Sequence, residues 1–244
     1  MEDRKAALSE SLEDTPLLVE VRGLLRRRTT VLVGSEERPG SGFVLAPEHD
    51  LAVGHGRPEP ALRDALERAA EDAGVEADAL RLRAAPAAME EWVAAGKGAG
   101  PRAVEVLVHG GERRGLVELA ERHGTARLQP GDPLADDLPP GLRRELRALP
   151  EWPRAAVALA GGSPVALAHA FVETEGLWDV SVETDPPFRR EGFGAAAVAA
   201  LALDRLDAGR VAVWAAAGSN VASLALARRL GFAPAGSWGE WRLA

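Results

Sequence analysis

The chain reads as a mixed α/β (α+β) protein of two parts, a smaller N-terminal α/β domain and a larger C-terminal one. Three observations predict this. Short runs of β-type residues are interleaved with apolar periodicities of 3.6 residues along the whole chain. Gly96-Lys97-Gly98-Ala99-Gly100-Pro101 interrupts the pattern and divides it at 1–100 and 101–244. Arg189-Arg190-Glu191-Gly192-Phe193-Gly194 joins a strand directly to a long alanine-rich helix.

In order, residues 1–14 are polar and expected to be helical or frayed. Leu17–Val21, Thr29–Val33 and Gly42–Ala46 are short β-type runs, and Leu51–Val53 is an apolar run broken by Gly54-His55-Gly56. Pro58–Ala73 has the spacing of a helix with Ala61, Leu62, Ala65, Leu66 and Ala69 on one face, and its prolines suit a first turn. Leu80–Ala84 predicts a strand and Ala87–Ala95 a short helix carrying Trp92. Beyond the break, Ala103–His109 predicts a strand, Gly115–His123 a helix, Thr125–Gln129 a strand and Gly141–Leu149 a helix. Arg154–Ala160 and Pro164–Val172 alternate around Gly161-Gly162-Ser163, the signature of a hairpin. Leu177–Thr184 is a third strand. A helix from Gly194 to Asp207 is stopped by Gly209, with Ala195, Val198, Ala202 and Leu206 facing inward. Arg210–Ala216 is a buried strand, Asn220–Leu230 a helix, and Trp238–Leu243 a last strand.

Composition narrows the chemistry. A chain of 244 residues buries a sizeable core. It has no cysteine, which excludes disulfides, thiolate metal sites and a cysteine nucleophile. It has no tyrosine either, so no phenol takes part in acid–base chemistry. A net charge of −8 opposes general nucleic-acid binding and mildly favours a cationic substrate. No apolar run approaches a membrane span, and Met1–Lys5 leads into no signal-type core, so a cytoplasmic protein without membrane contact is expected.

The Arg189–Gly194 turn is the most informative feature. N–H groups at a helix start have no intrahelical partner, the helix dipole is positive there, and glycine lets backbone approach a ligand. The expected guest is a phosphate or pyrophosphate. Val53–Pro58 repeats this logic in miniature. It is either a second phosphate site or, as the stronger reading, only a tight turn.

Downstream, Asn220-Val221-Ala222-Ser223 opens a helix and Leu230-Gly231-Phe232 closes it. The whole order resembles the GNAT acyltransferase superfamily over Ala103–Ala244, most fully over Pro153–Phe232. Trp178–Thr184, with Trp214 and Ser219-Asn220, is similar to the two-domain branch that includes antibiotic self-resistance acetyltransferases. The resemblance implies a mixed, mostly antiparallel sheet flanked by helices, and an N-terminal domain that is a degenerate, lid-like relative covering one side of an acceptor cleft. Trp92, Trp152 and Trp178 are either liners of that cleft or core.

What the resemblance implies can be placed residue by residue. Acetyl-CoA is the acyl donor and no metal is needed. Its pyrophosphate rests on the backbone of Arg190, Glu191, Gly192, Phe193, Gly194 and Ala195. Arg189 holds the turn, and Arg190 either reaches a phosphate or is simply solvated. The pantetheine arm pairs with Val182 and Thr184, and the strand Arg210–Ala216 splays away to admit it. Asn220 contacts the cofactor, or merely caps its helix. Ser223 faces the same way one turn later.

Acyl transfer to an amine requires a base, a polarised carbonyl and protonation of the leaving thiolate. Glu183 and Asp179 are the candidate bases and lie on one strand face. Glu173 and Glu175 are expected to be solvated at a turn. His169 is a further candidate base but reads better as a satisfied core histidine. Many relatives place a tyrosine where this chain has Ala227, so Ser223 or water is left to protonate the thiolate. The expected activity is acetyl-CoA-dependent N-acetylation of a small-molecule amine by direct attack in a ternary complex, in a monomer or homodimer. The alternative is a non-catalytic acyl-CoA-binding or regulatory protein.

Overall fold

The computed structural model describes residues 2–34, 40–95, 102–147 and 154–243. The chain forms two compact units. Unit 1 holds 1–106, 216–220 and 235–244, and unit 2 holds 107–215 and 221–234. The glycine-rich stretch 96–101 and Trp152 lie outside the described residues.

Unit 1 begins with helices α1 (Glu2–Ser11) and α2 (Val19–Leu25) and continues through β1 (Val31–Gly34), β2 (Gly42–Ala46), β3 (Leu51–His55), α3 (Arg63–Asp72), β4 (Arg81–Ala84) and α4 (Pro86–Ala95). Strands β1, β2 and β3 pair antiparallel, and β4 runs parallel to β3. Leu17–Val21, expected as a strand, instead leads into α2, whose seven residues are all buried. A short apolar run buried on every side carries no period, so the surroundings decide its form. The helix expected over Pro58–Ala73 is a 3-10 turn at Pro60–Leu62 followed by α3. Of its expected inner face, Leu66 is fully buried and Leu62, Ala65 and Ala69 pack partly on the core.

That core is centred on Phe43, Leu45, Leu80, Leu82 and Trp92. Trp92 stands edge-on to Phe43 at 5.2 Å and donates its indole N–H to Pro58 O at 2.8 Å. It is therefore core in unit 1. A side chain on Gly54 would meet Ala84 Cβ at 2.9 Å, and one on Gly56 would meet Gly40 O at 2.4 Å. Both glycines are explained by close packing, and the following α-helix starts only at Arg63. The Val53–Pro58 segment is thus a tight turn.

Strand β5 (Arg102–His109) begins in unit 1 and ends in unit 2. Unit 2 continues with α5 (Arg114–Glu121), β6 (Gly124–Leu128), α6 (Pro133–Asp136), α7 (Pro140–Arg147), β7 (Ala155–Ala160), β8 (Ser163–Glu173), β9 (Leu177–Thr184), α8 (Phe193–Asp207), β10 (Val211–Ala217) and α9 (Val221–Arg229). Its strands lie in the order β10-β9-β8-β7-β6, antiparallel except for β9 with β10. Gly161 and Gly162 have φ of 59° and 90°, the left-handed pair that a two-residue hairpin turn requires. Helix α8 packs against β7, β8 and β9 and also against α5, so it is buried almost all round. Helix α7 presses Leu142 and Leu146 onto Val157 and Leu167 of the sheet. The last strand, β11 (Phe232–Arg242), leaves unit 2 and lies antiparallel to β4 of unit 1 over Gly239–Arg242. It is longer than the predicted Trp238–Leu243.

Candidate active site

The site is built where β9 meets α8. Pro186–Phe188 forms one 3-10 turn after β9, and α8 starts at Phe193. The first α-helical bond of the turn runs from Ala196 N to Gly192 O at 3.0 Å, so the N–H groups of Phe193, Gly194 and Ala195 have no intrahelical acceptor. Two residues of the turn are left-handed, Gly192 at φ 101° and Arg190 at φ 69°. For Arg190 this costs about 1–2 kcal/mol, so the turn has to be held by its surroundings.

Arg189 provides one brace. Its Nε donates to Thr184 O at 3.0 Å and its Nη2 to Glu183 Oε1 at 2.5 Å. A side chain on Gly194 would meet Thr184 Oγ1 at 2.8 Å and Val182 Cγ2 at 3.7 Å. The side chains of Thr184 and Val182 therefore pack directly against the helix start at Gly194. A cradle of exposed N–H groups, at a positive helix end with no Cβ in the way, fits a pyrophosphate. Arg190 and Glu191 are exposed beside it, and Ala195 is buried behind it.

The neighbouring strand supplies the second requirement. β10 pairs with β9 only from Val211 opposite Leu177 to Val213 opposite Asp179. Both strands run further, but their register ends there, which leaves Val180–Thr184 without that neighbour. Asp179 is 4% exposed and sits at the end of the pairing. Glu183 shares its strand face but is engaged by Arg189. Trp178 is wholly buried, so it is core.

Ser223, on α9, accepts the Trp214 indole N–H at 2.9 Å. Ala227 is wholly buried on the same helix. Asn220 precedes α9, and its N–H reaches Ala217 O at 2.7 Å. It belongs to unit 1, whereas Ser223 and the glycine turn belong to unit 2.

Two groups beside the site are not visible in motif spacing. Glu145 on α7 accepts both the Ser181 hydroxyl at 3.0 Å and His169 Nε2 at 3.1 Å. Burial raises the Glu145 carboxyl, but the hydrogen bond and charge of His169, with the Ser181 hydroxyl, outweigh it and hold the group below the ordinary carboxylate value. His169 is thus a core histidine with a carboxylate partner. His123, just before β6, touches the glycine turn itself: its Nε2 lies 3.1 Å from Glu191 O and its ring 4.1 Å from Phe193. Glu173, expected to be solvated, is held by Arg205 and Arg210.

Two further histidines set an acid limit on stability. Burial lowers His55 and His109, and backbone hydrogen bonds at Gly40 and Leu230, with the Glu112 charge at His109, only partly offset it. A folded value below the unfolded one means the unfolded chain binds the proton more readily, so stability falls with pH. The loss begins below about pH 6.5, the unperturbed imidazole value, and Glu145 and Glu240, also held low, extend it at lower pH. Urea midpoints should therefore drop between pH 7.5 and 5.5. A midpoint constant across that window would refute the assignment.

Comparison with known proteins agrees with this architecture. The profile of the GNAT acetyltransferase family matches residues 155–239. No curated protein matches the chain. Among solved structures, a GCN5-related N-acetyltransferase-like protein from Streptococcus suis superposes with a TM-score of 0.70 at 18% identity, covering 99% of this chain and 97% of that one. A GCN5-related N-acetyltransferase from Kribbella flavida gives 0.58 at 21% identity, with 92% of each chain covered. A tandem GNAT protein from the clavulanic acid biosynthesis pathway gives 0.54 at 18% identity, covering 100% of this chain and 94% of that one. The glycine cradle and the interrupted β9–β10 pairing fall inside residues 155–239, the segment that matches the GNAT acetyltransferase family, and the chain shares the fold of these GNAT structures.

Proposed function

We propose that the protein moves an acetyl group from acetyl-CoA to the amine of a small molecule, by direct attack within a ternary complex. The observation that carries this is the combination of the Gly192–Ala195 cradle with the end of β9–β10 pairing at Asp179 and Val213. One holds an anion and the other leaves strand edge for an extended arm. Acetyl-CoA, when bound, supplies the activated thioester and a thiolate leaving group that is tolerable near neutral pH.

The chain's own residues do the rest. The first-turn N–H groups of α8 hold the pyrophosphate. The β9 edge at Val182 and Thr184, beyond the end of the β10 pairing, is where the pantetheine arm pairs. Asp179 takes the amine proton, because Glu183 is committed to bracing the turn through Arg189. Ser223, whose oxygen accepts the Trp214 indole N–H, is the hydroxyl assigned to protonate the thiolate. The absence of cysteine removes one route through an acyl-enzyme.

A thermal-shift series with acetyl-CoA and longer acyl-CoAs tests binding, and thiol release across an amine panel tests transfer. Direct attack predicts intersecting initial-rate lines rather than parallel ones. The Asp179→Asn variant should keep acetyl-CoA binding and lose about 100-fold or more in kcat. Binding without thiol release from any amine would defeat the enzymatic reading and leave a binding protein.

A further inference from the structure

We propose that His123 is a positioning residue for the coenzyme-binding turn, acting through the Glu191–Gly192 peptide; the inference rests on the function proposed above. His123 lies 68 positions before Glu191, outside the glycine motif. Its Nε2 is 3.1 Å from Glu191 O. A carbonyl oxygen can only accept, so Nε2 carries the proton and donates. The ring also lies over Phe193, the first residue of α8, with centroids 4.1 Å apart and an interplanar angle of 35°. A Cβ on Gly192 would come within 3.2 Å of the same nitrogen.

The physical consequence follows from peptide planarity. In a trans peptide the C=O and the following N–H point in opposite directions and turn together. Fixing Glu191 O therefore fixes the direction of the Gly192 N–H, the first donor of the cradle. This peptide lies between the two left-handed residues, Arg190 and Gly192, where the backbone has least intrinsic preference for its observed form. Arg189 braces the turn on its β9 side, through Thr184 O and Glu183. His123 braces it on the helix side, from a different element. Together they fix the cradle before the anion arrives, which reduces the ordering cost of binding.

The test compares the whole protein with its His123→Phe and His123→Gln variants, using coenzyme A as the calorimetric probe and acetyl-CoA in the thiol-release assay. Phenylalanine keeps a ring on Phe193 but donates nothing. Glutamine places an amide donor near the Nε2 position without the ring. The expected result is about fivefold weaker coenzyme A binding for His123→Phe, with KM for acetyl-CoA raised and kcat retained, and recovery towards wild type for His123→Gln. Wild-type affinity in His123→Phe would overturn the proposal. Equal weakening in both variants would overturn it too, because ring packing would then be the cause. If the wild type binds no coenzyme A, the functional reading falls and takes this inference with it.

Discussion

Replacement of Arg83 by alanine should lower the unfolding free energy by about 3–5 kcal/mol, measured as a urea midpoint shift followed by tryptophan fluorescence. Arg83 on β4 lies between two buried carboxylates of unit 1. Its Nη1 is 2.5 Å from Glu20 Oε1 and its Nε 2.7 Å from Glu240 Oε2, and those side chains are only 1% and 3% exposed. Arg102 adds a hydrogen bond to Glu240 Oε1 at 2.8 Å, but its own side chain is 59% exposed. Burial alone would raise the Glu240 carboxyl. The charges and hydrogen bonds of Arg83 and Arg102 reverse that and hold it low. The Trp238 ring, 5.8 Å from the guanidinium carbon, completes the enclosure. Removing Arg83 takes a close cation from both Glu20 and Glu240, and leaves Glu240 with the largely exposed Arg102 and with Arg81 at 3.9 Å. Most of the loss should come from the weaker compensation of these buried carboxylates rather than from a lost attraction. Accordingly, Arg83→Met combined with Glu20→Leu and Glu240→Leu should regain much of it. A cost below about 1 kcal/mol for Arg83→Ala would show that the network is solvated in solution.

The second large effect concerns ligand binding. Gly194→Leu should weaken acetyl-CoA binding at least about tenfold, read by calorimetry. The clash of its Cβ with Thr184 Oγ1 at 2.8 Å, with Leu226 Cδ2 at 3.9 Å behind, forces α8 away from β9. The same overpacking should cost about 1–3 kcal/mol of stability, so binding is to be compared at a temperature where both proteins are folded. Gly115→Ala is the control, since nothing lies within 4 Å of its added Cβ. Unchanged affinity in Gly194→Leu would remove the pyrophosphate from this turn.

The sequence shows unit 2 well for physical reasons. β7, β8 and β9 are apolar runs bounded by clear turn residues, so their expected and observed limits agree to within one residue at each end. The glycine turn was legible because backbone conformation selects residue type: Gly192 sits at φ 101°. Much of what holds the site is not legible in this way. Glu145 meets His169 across 24 positions and His123 meets Glu191 across 68. A lone charged or imidazole side chain has no local pattern that announces a distant partner. Glu20, Arg83 and Glu240 show the same limit: each reads as solvated charge until strands β4 and β11 bring them together. Strand placement did reveal that Asp179 and Glu183 share a face, but not that Arg189 would occupy one of them.

The route of β11 has a consequence for synthesis. β4 acquires its antiparallel neighbour only from Gly239–Arg242, and Arg83 acquires Glu240 from 157 positions away. A ribosome that has released the first hundred residues has made most of unit 1 but not the strand that closes its exposed edge. Unit 2 must be almost wholly translated in the meantime. The nascent N-terminal half therefore waits as an open-edged intermediate in which Arg83 has Glu20 but not yet Glu240, the state in which this protein is most exposed to mispairing and to chaperone capture.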